Sequence, residues 1–371
     1  MYRRPKLLTF GYLLLALWGL SDSVQAQAQQ DIHSPVILGL ENFVPSRPVQ
    51  MRSDGSGLQA VALSGDLTHN GAKGQRYFLR AEPVSGVTAP DGAQFYDLVS
   101  YREDADLSTR LVLTPAGTIC TNQPGDPACI FRSTNPRWSI DGKHVAYIGY
   151  RYVLNADGVS WRVDKKGIYV GDVTFDGMGS PVSIINEHLA VPGPSGSNQS
   201  ILDGSVSWSG DERIAYTVVT VQRDSTGKIV GSTHSIYVAS VPPGLAEGSS
   251  HKVLLASGLE SQYYPQFSPG GVGRLAFVQA GGGAQGRSDV WAVSIPPAYD
   301  GTYGLTATQI TNIVGTVRGN PQWSPDADYL AFSVFGSLGP QIYKIQSDGT
   351  GKAVKITNSK KQGYVVSQWR R

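Results

Sequence analysis

Cysteine, histidine and charge are all scarce in this chain, and each scarcity excludes a class of function. There are two cysteines and six histidines in 371 residues. His33, His69, His144, His188, His234 and His251 are dispersed, and none stands in H-x-H or H-E-x-x-H spacing, so no metal centre is expected. No other cofactor is expected either. Charged residues make up 16% of the chain, with a net charge of +2 and the lysines and arginines scattered. That pattern supplies neither a nucleic-acid groove nor a polybasic membrane patch. No G-x-S-x-G nucleophile elbow is present. The glycine-rich stretch 281–286 lacks the Lys-Ser/Thr of a phosphate loop and reads as a strand connection. No catalytic residue is assigned. Asp141, Asp211 and Asp326 lie in turns, where capping the turn is their expected role.

What is present begins at the N-terminus. Arg3, Arg4 and Lys6 precede an apolar run from Leu7 to Leu20, and small residues follow, ending Val24-Gln25-Ala26. This order reads as a secretory signal peptide over residues 1–26, with cleavage after Ala26 and a flexible mature N-terminus over 27–35. No cysteine follows the apolar run, so a lipoprotein anchor is not expected, nor is a membrane segment in the mature chain. Export to the periplasm or beyond makes Cys120 and Cys129, which bracket a turn-rich loop, an expected disulfide.

Abundant glycine (44), proline (22) and tyrosine (18) suit many short strands joined by tight turns. Four segments match one another: Asn135–Tyr147 (NPRWSIDGKHVAY), Val206–Tyr216 (VSWSGDERIAY), Tyr264–Phe277 (YPQFSPGGVGRLAF) and Asn320–Phe332 (NPQWSPDADYLAF). Each reads as strand, turn, strand. An aromatic (Trp138, Trp208, Phe267, Trp323) ends the first strand, Ser-Pro-Asp-Gly chemistry makes the reversal, and the second strand carries Ala plus an aromatic. The small Ala permits close packing beside a large ring. Third strands follow at Gly167–Val170, Ser235–Val238, Asp289–Ala292 and Gln341–Lys344, with β-branched fourth strands around 184–185, 253–255, 309–311 and 354–357. The anchors recur at roughly 55 to 70 residues, longer than the usual 40 to 45 for such repeats.

These repeats resemble the WD40-like (PD40) motif, Pro-x-(Phe/Trp)-Ser-Pro-Asp-Gly-x-x-(Ile/Leu)-(Ala/Val)-(Phe/Tyr), of TolB-like propellers. The resemblance implies an all-β fold, a β-propeller of four-stranded antiparallel blades, over residues 36–371. The separate α/β domain that precedes the propeller in TolB is not expected here. Val49–Gly57 is similar to Ile345–Gly351, and Tyr364–Trp369 is similar to a first strand. The C-terminal strand would then complete the blade that the N-terminus begins, closing the ring. With a degenerate blade over 75–114, the count is six.

One set of residues carries a functional expectation. Arg137, Ser207, Gln266, Gln322 and Gln368 each precede a repeat aromatic, so they share one phase on the innermost strands, beside the central channel. Such a ring either binds a peptide or sugar or hydrogen-bonds the backbone of neighbouring blades. The expected function is a monomeric, non-enzymatic propeller of the cell envelope that binds protein partners or acts as a scaffold. The alternative is a carbohydrate-active hydrolase or lyase working in the central funnel.

Overall fold

The computed structural model of the chain describes residues 36–41, 47–60, 66–67, 76–88, 92, 94–103, 109–114, 129–196, 198–241, 250–253, 255, 261–269, 273–280, 287–313, 315–337, 339–357 and 363–370. The expected signal peptide over 1–26 and the expected flexible segment over 27–35 lie outside this set. Cys120 does as well, and with it the expected disulfide.

Among the described residues there is no α-helix, and the strands follow one another as short antiparallel meanders. They run β1 (Val36–Glu41), β2 (Arg47–Arg52), β3 (Gln59–Ala60), β4 (Asp66–Leu67), β5 (Tyr77–Thr88), β6 (Gln94–Arg102), β7 (Leu111–Thr114), β8 (Cys129–Trp138) and β9 (His144–Leu154). Next come β10 (Trp161–Phe175), β11 (Pro181–Pro192), β12 (Gln199–Ile201), β13 (Ser207–Trp208), β14 (Arg213–Arg223), β15 (Ile229–Ser240), β16 (Ser250–Lys252) and β17 (Gln262–Phe267). The last are β18 (Arg274–Ala280), β19 (Ser288–Ser294), β20 (Ala307–Gln309), β21 (Thr316–Trp323), β22 (Tyr329–Gly336), β23 (Gly339–Gln346), β24 (Val354–Lys355) and β25 (Tyr364–Arg370).

The meander β4–β7 fills the stretch where no Trp-Ser-Pro-Asp signature stands, and β8–β11 follows it. In β12–β16 the first strand is broken in two, so β12 and β13 both pair with β14. The meanders β17–β20 and β21–β24 form one sheet, joined by a single parallel pairing of Ser288 with Thr316. The C-terminal β25 lies antiparallel to β1, giving the order β25-β1-β2-β3. Three fourth strands stop short of their expected ends: β16 ends at Lys252, before the expected 253–255, and in β20 and β24 threonine hydroxyls take over the ladder. Thr311 Oγ1 accepts the Val290 N–H at 2.9 Å, and Thr357 Oγ1 accepts the Ile342 N–H at 2.9 Å.

The repeat aromatics build the contacts between meanders. Trp208 shares a buried cluster with Ala146 of the preceding meander, Phe267 with Ala215, Trp323 with Ala276 and Trp369 with Ala331. All four alanines are completely buried. A Cβ with nothing beyond it is what lets a ring from the next sheet seat on the strand. Each Ser-x-Asp turn closes on itself: Ser139 Oγ donates to Asp141 at 2.6 Å and accepts the His144 N–H at 3.0 Å, and Ser324 repeats the pattern with Asp326 and Tyr329.

Candidate functional site

First strands bend just before their anchors. Asn135, Tyr264 and Gly319 adopt positive φ (51°, 57° and 81°), and the pairing register slips between Thr134 and Arg137, Tyr263 and Gln266, and Arg318 and Gln322. Beyond each bend the register is common to all. Arg137 faces Ala146, Ser207 faces Ala215, Gln266 faces Ala276, and Gln322 faces Ala331. Because strand side chains alternate, an anchor that points into the sheet interface leaves its predecessor on the opposite side.

The consequence is one cavity of about 70 Å³ lined by Arg137, Ser207, Gln266, Gln322 and Gln368 together with their aromatic neighbours. Its rim carries the turn residues Ile140, Pro269 and Pro325. Ser207 and Gln368 are buried, and the other three polar residues are half-buried. Among the described residues no Asp, Glu or His lines the cavity, and Arg137 is the charged side chain that does.

Part of this ring also ties the meanders together. Arg137 Nε donates to the Val206 carbonyl at 3.3 Å and its Nη2 to the Gly204 carbonyl at 3.4 Å. Ser207 Oγ accepts the Phe267 N–H at 2.9 Å, and the Trp323 indole donates to the Gln266 carbonyl at 2.9 Å. Gly204 sits in the turn that interrupts β12 and β13, and its carbonyl also accepts from Asn320 Nδ2 at 2.8 Å. That bond reaches from β21 to the β12–β13 turn, past the intervening β17, so a single carbonyl of one meander collects donors from two others. Nothing in the repeat pattern signalled this junction, because the turn is an insertion peculiar to one meander.

Sequence reasoning also missed a set of braces. Arg213 and Arg274, each just before the Ile-Ala-Tyr or Leu-Ala-Phe of a second strand, lie over the next meander's anchor ring, at 5.7 Å from Phe267 and 5.1 Å from Trp323. Arg213 donates to the carbonyls of Pro296 and Ile295 at 2.9 and 3.1 Å, and Arg274 Nη1 donates to Ser347 Oγ at 3.1 Å. The equivalent residue of the last repeat is Tyr329, whose ring packs 6.4 Å from that of Trp369. The basic residue at the same repeat position in two copies was the available signal.

Other titratable groups are local. His144 Nδ1 lies 2.8 Å from Asp172 Oδ1, and Asn186 donates to Asp172 Oδ2 at 2.8 Å. The Asn186 hydrogen bond, with His144, holds the Asp172 carboxyl below the usual range. Burial pushes the Glu187 carboxyl up even though Tyr147 and Thr114 hydroxyls donate to it. Neither group lines the cavity. Among the described residues no three His, Cys, Asp or Glu side chains gather as a metal-binding group, and no helix is long and apolar enough to cross a membrane.

No family profile matches the sequence, and no curated protein matches it. Solved structures do resemble the fold. TolB from Acinetobacter baumannii aligns over 95% of this chain and 71% of its own, at 12% identity and a TM-score of 0.46. The periplasmic gluconolactonase of Pseudomonas aeruginosa aligns over 90% of this chain and 99% of its own, at 10% identity and a TM-score of 0.41. Prolyl oligopeptidase B from Galerina marginata aligns over 86% of this chain and 38% of its own, at 8% identity and a TM-score of 0.43. TolB, whose repeats the sequence resembles, is among the solved structures to which this chain is similar in fold.

The expectation of a non-enzymatic protein is corrected by the same comparison. Gluconolactonase is an enzyme carried on a fold of this kind, so a missing catalytic motif excludes nothing here. The physical reason is that a site assembled from several sheets draws single residues from distant positions. It therefore leaves no compact sequence signature.

Proposed function

We propose that this chain is a six-bladed propeller of the bacterial cell envelope, closed by β25, that recognises a polar ligand such as a sugar in its central channel. The observation that carries the reading is the convergence of Arg137, Ser207, Gln266, Gln322 and Gln368, from five separate strands, on one cavity. Aromatic walls with amide, hydroxyl and guanidinium groups between them suit a hydroxyl-bearing ligand, which needs both stacking area and hydrogen-bond partners. The basic, apolar, small-residue order of the first 26 residues supports export. Protein partners would then meet the loops at the ends of the strands, the part of a scaffold most free to vary.

A second reading is carbohydrate chemistry, hydrolysis or elimination, in the same funnel. What favours it is that ring and rim come from many strands, so further groups can be added from any loop around the mouth.

Both readings are tested on the mature protein with a panel of mono- and oligosaccharides, lactones and short peptides. Binding is followed by calorimetry and turnover by mass spectrometry of the same samples. A saturable ligand that binds at least about tenfold more weakly to the Gln266→Ala/Gln322→Ala protein is expected, since each lost amide removes a directed hydrogen bond. Equal binding by wild-type and double variant would place recognition elsewhere and overturn the channel reading. Cell fractionation with N-terminal sequencing tests export. A chain retaining Met1 in the cytoplasm would defeat that part.

A further inference from the structure

We infer that the chain pairs with a second copy of itself along the open edge of β15, forming a weak two-fold dimer; the inference is independent of the channel reading. The β14–β15 hairpin outruns the rest of its meander. β15 pairs with β14 without slip from Gly231 to Ser240, whereas on its other side β16 covers only Tyr237, Val238 and Ala239. The Val253 N–H donates to the Ile236 carbonyl at 2.8 Å, so the backbone of Ile236 faces away from β14. Backbone groups alternate along a strand, so those of His234 and Ser232 face the same way. Among the described residues no strand takes them up. The opposite edge of the hairpin is closed, since β12 pairs with Val218, Val219 and Thr220 of β14.

Such an edge is a template for another strand, and proteins ordinarily blunt it with charge, proline or a bulge. The neighbouring meander does so. β10 likewise outruns β11, which pairs with it only from Gly167 onward, but its projecting part carries Arg162, Asp164 and Lys165 and slips in register between Val163 and Lys165. β15 has no Asp, Glu, Lys, Arg or Pro in its 12 residues, and its slip opposite Gln222 and Arg223 lies at the tip, beyond Ser232. Ile229 and Val230 are exposed there. A strand pairing antiparallel with its own copy sets each residue against one from the same segment, so a charge would stand close to its like. A strand without charge has no such conflict, whereas a charged partner segment would find no counter-charge on it. The second copy brings an edge with the same hydrogen-bonding phase and the same exposed apolar end. β14 leaves the Ser209–Asp211 turn at Arg213 and reaches the hairpin tip at Arg223, so the open edge lies away from that turn. Ile140, Pro269 and Pro325 of the cavity rim stand in the equivalent turns, so the dimer leaves the rim clear.

The test is sedimentation of the mature full chain from low-micromolar to near-millimolar concentration, with hydrogen exchange on the same samples. A monomer–dimer equilibrium is expected, and exchange of residues 229–236 should slow as concentration rises. Ser232→Pro removes an N–H that faces the open side, and Ser232→Lys brings like charges together across the pairing. Each should weaken the dimer at least about tenfold, because a two-fold assembly carries every change twice. Val159→Lys, in the exposed turn of the β9–β10 hairpin, adds the same charge away from the edge and should leave the association within about twofold of wild type. A thermal melt accompanies each variant, and Ser232→Lys decides the matter if Ser232→Pro does not fold. A wild-type chain that stays monomeric at every concentration would overturn the inference. So would a dimer that Ser232→Lys leaves intact, since the contact would then lie on another surface.

Discussion

At the scale of single residues, the informative side chains are those that leave their own sheet. Arg213 is buried, bonded to the Pro296 and Ile295 carbonyls, paired with Asp211 at 2.7 Å and laid over Phe267. Replacing it by methionine keeps much of the volume but strands two carbonyls and one carboxylate. Arg213→Met should therefore cost roughly 2–4 kcal/mol, read from urea or thermal unfolding. Arg213→Lys should recover only part of this, because an ammonium cannot reproduce the planar fork. Tyr216 predicts a pH dependence. Burial pushes its phenol up to about 12, outweighing the opposing Ser250 hydrogen bond. In the unfolded chain the phenol ionises near pH 10, so above that pH the unfolded state gains a form the folded state resists. Stability should fall as pH rises from about 10 towards 12. Thermal melts of Tyr216→Phe across that range should fall less steeply than those of wild type; parallel slopes would remove Tyr216 from the account.

Elements show what the sequence made legible and what it concealed. The four Trp-Ser-Pro-Asp hairpins lie where their residues place them, because anchor, turn and Ala-aromatic pair are all local chemistry. Trp323 opposite Leu330 and Trp138 opposite Val145 follow from it. The five ring residues were also legible, since strand alternation fixes their side once the anchor is known. The Gly204 junction was not, because a turn that splits a strand obeys no repeat, and neither was Asp66–Leu67 as the short first strand of a meander without an anchor. Fourth strands were misplaced by a few residues where Thr311 and Thr357 replace ladder bonds with side-chain ones. One glycine separates local from tertiary constraint. Gly273 has φ +67°, and a Cβ there would lie 2.3 Å from the Ile295 carbonyl oxygen and 2.5 Å from an Arg213 nitrogen. Gly227 has φ +84° with nothing within 4 Å of that point. Gly227→Ala should thus cost only the left-handed strain, about 1–2 kcal/mol, while Gly273→Ala should cost clearly more by also displacing the Arg213 brace. Equal melting temperatures for the two variants would mean that this close approach relaxes without penalty.

The whole molecule depends on a strand that arrives last. β25 lies beside β1 with Trp369 opposite Ile37 and Gln368 opposite Leu38, so the two ends of the chain share one sheet. Trp369 is buried with Val49 and Met51 of β2 and with Ala331 and Ile342 of the preceding meander, as Trp323 is buried with Ala276 one meander earlier. Ser333 Oγ accepts the Val366 N–H at 2.8 Å, as Thr217 Oγ1 accepts that of Tyr264 at 3.2 Å. The terminal strand is therefore bonded on both sides, and nothing else described occupies its place. A chain ending at Gly363 loses the Trp369 ring, worth about 3–5 kcal/mol for a buried aromatic, and exposes the β1 edge to pairing with other chains. It also loses Gln368 from the cavity. Such a protein should melt far below wild type or aggregate, and any soluble fraction should bind the channel ligand weakly. A chain lacking only Arg370 and Arg371 keeps Trp369 in place and should melt within a few degrees of wild type. Thermal melts and size-exclusion profiles of the two truncations separate the cases: if both behave alike, β25 is dispensable and the closed six-bladed ring must be abandoned.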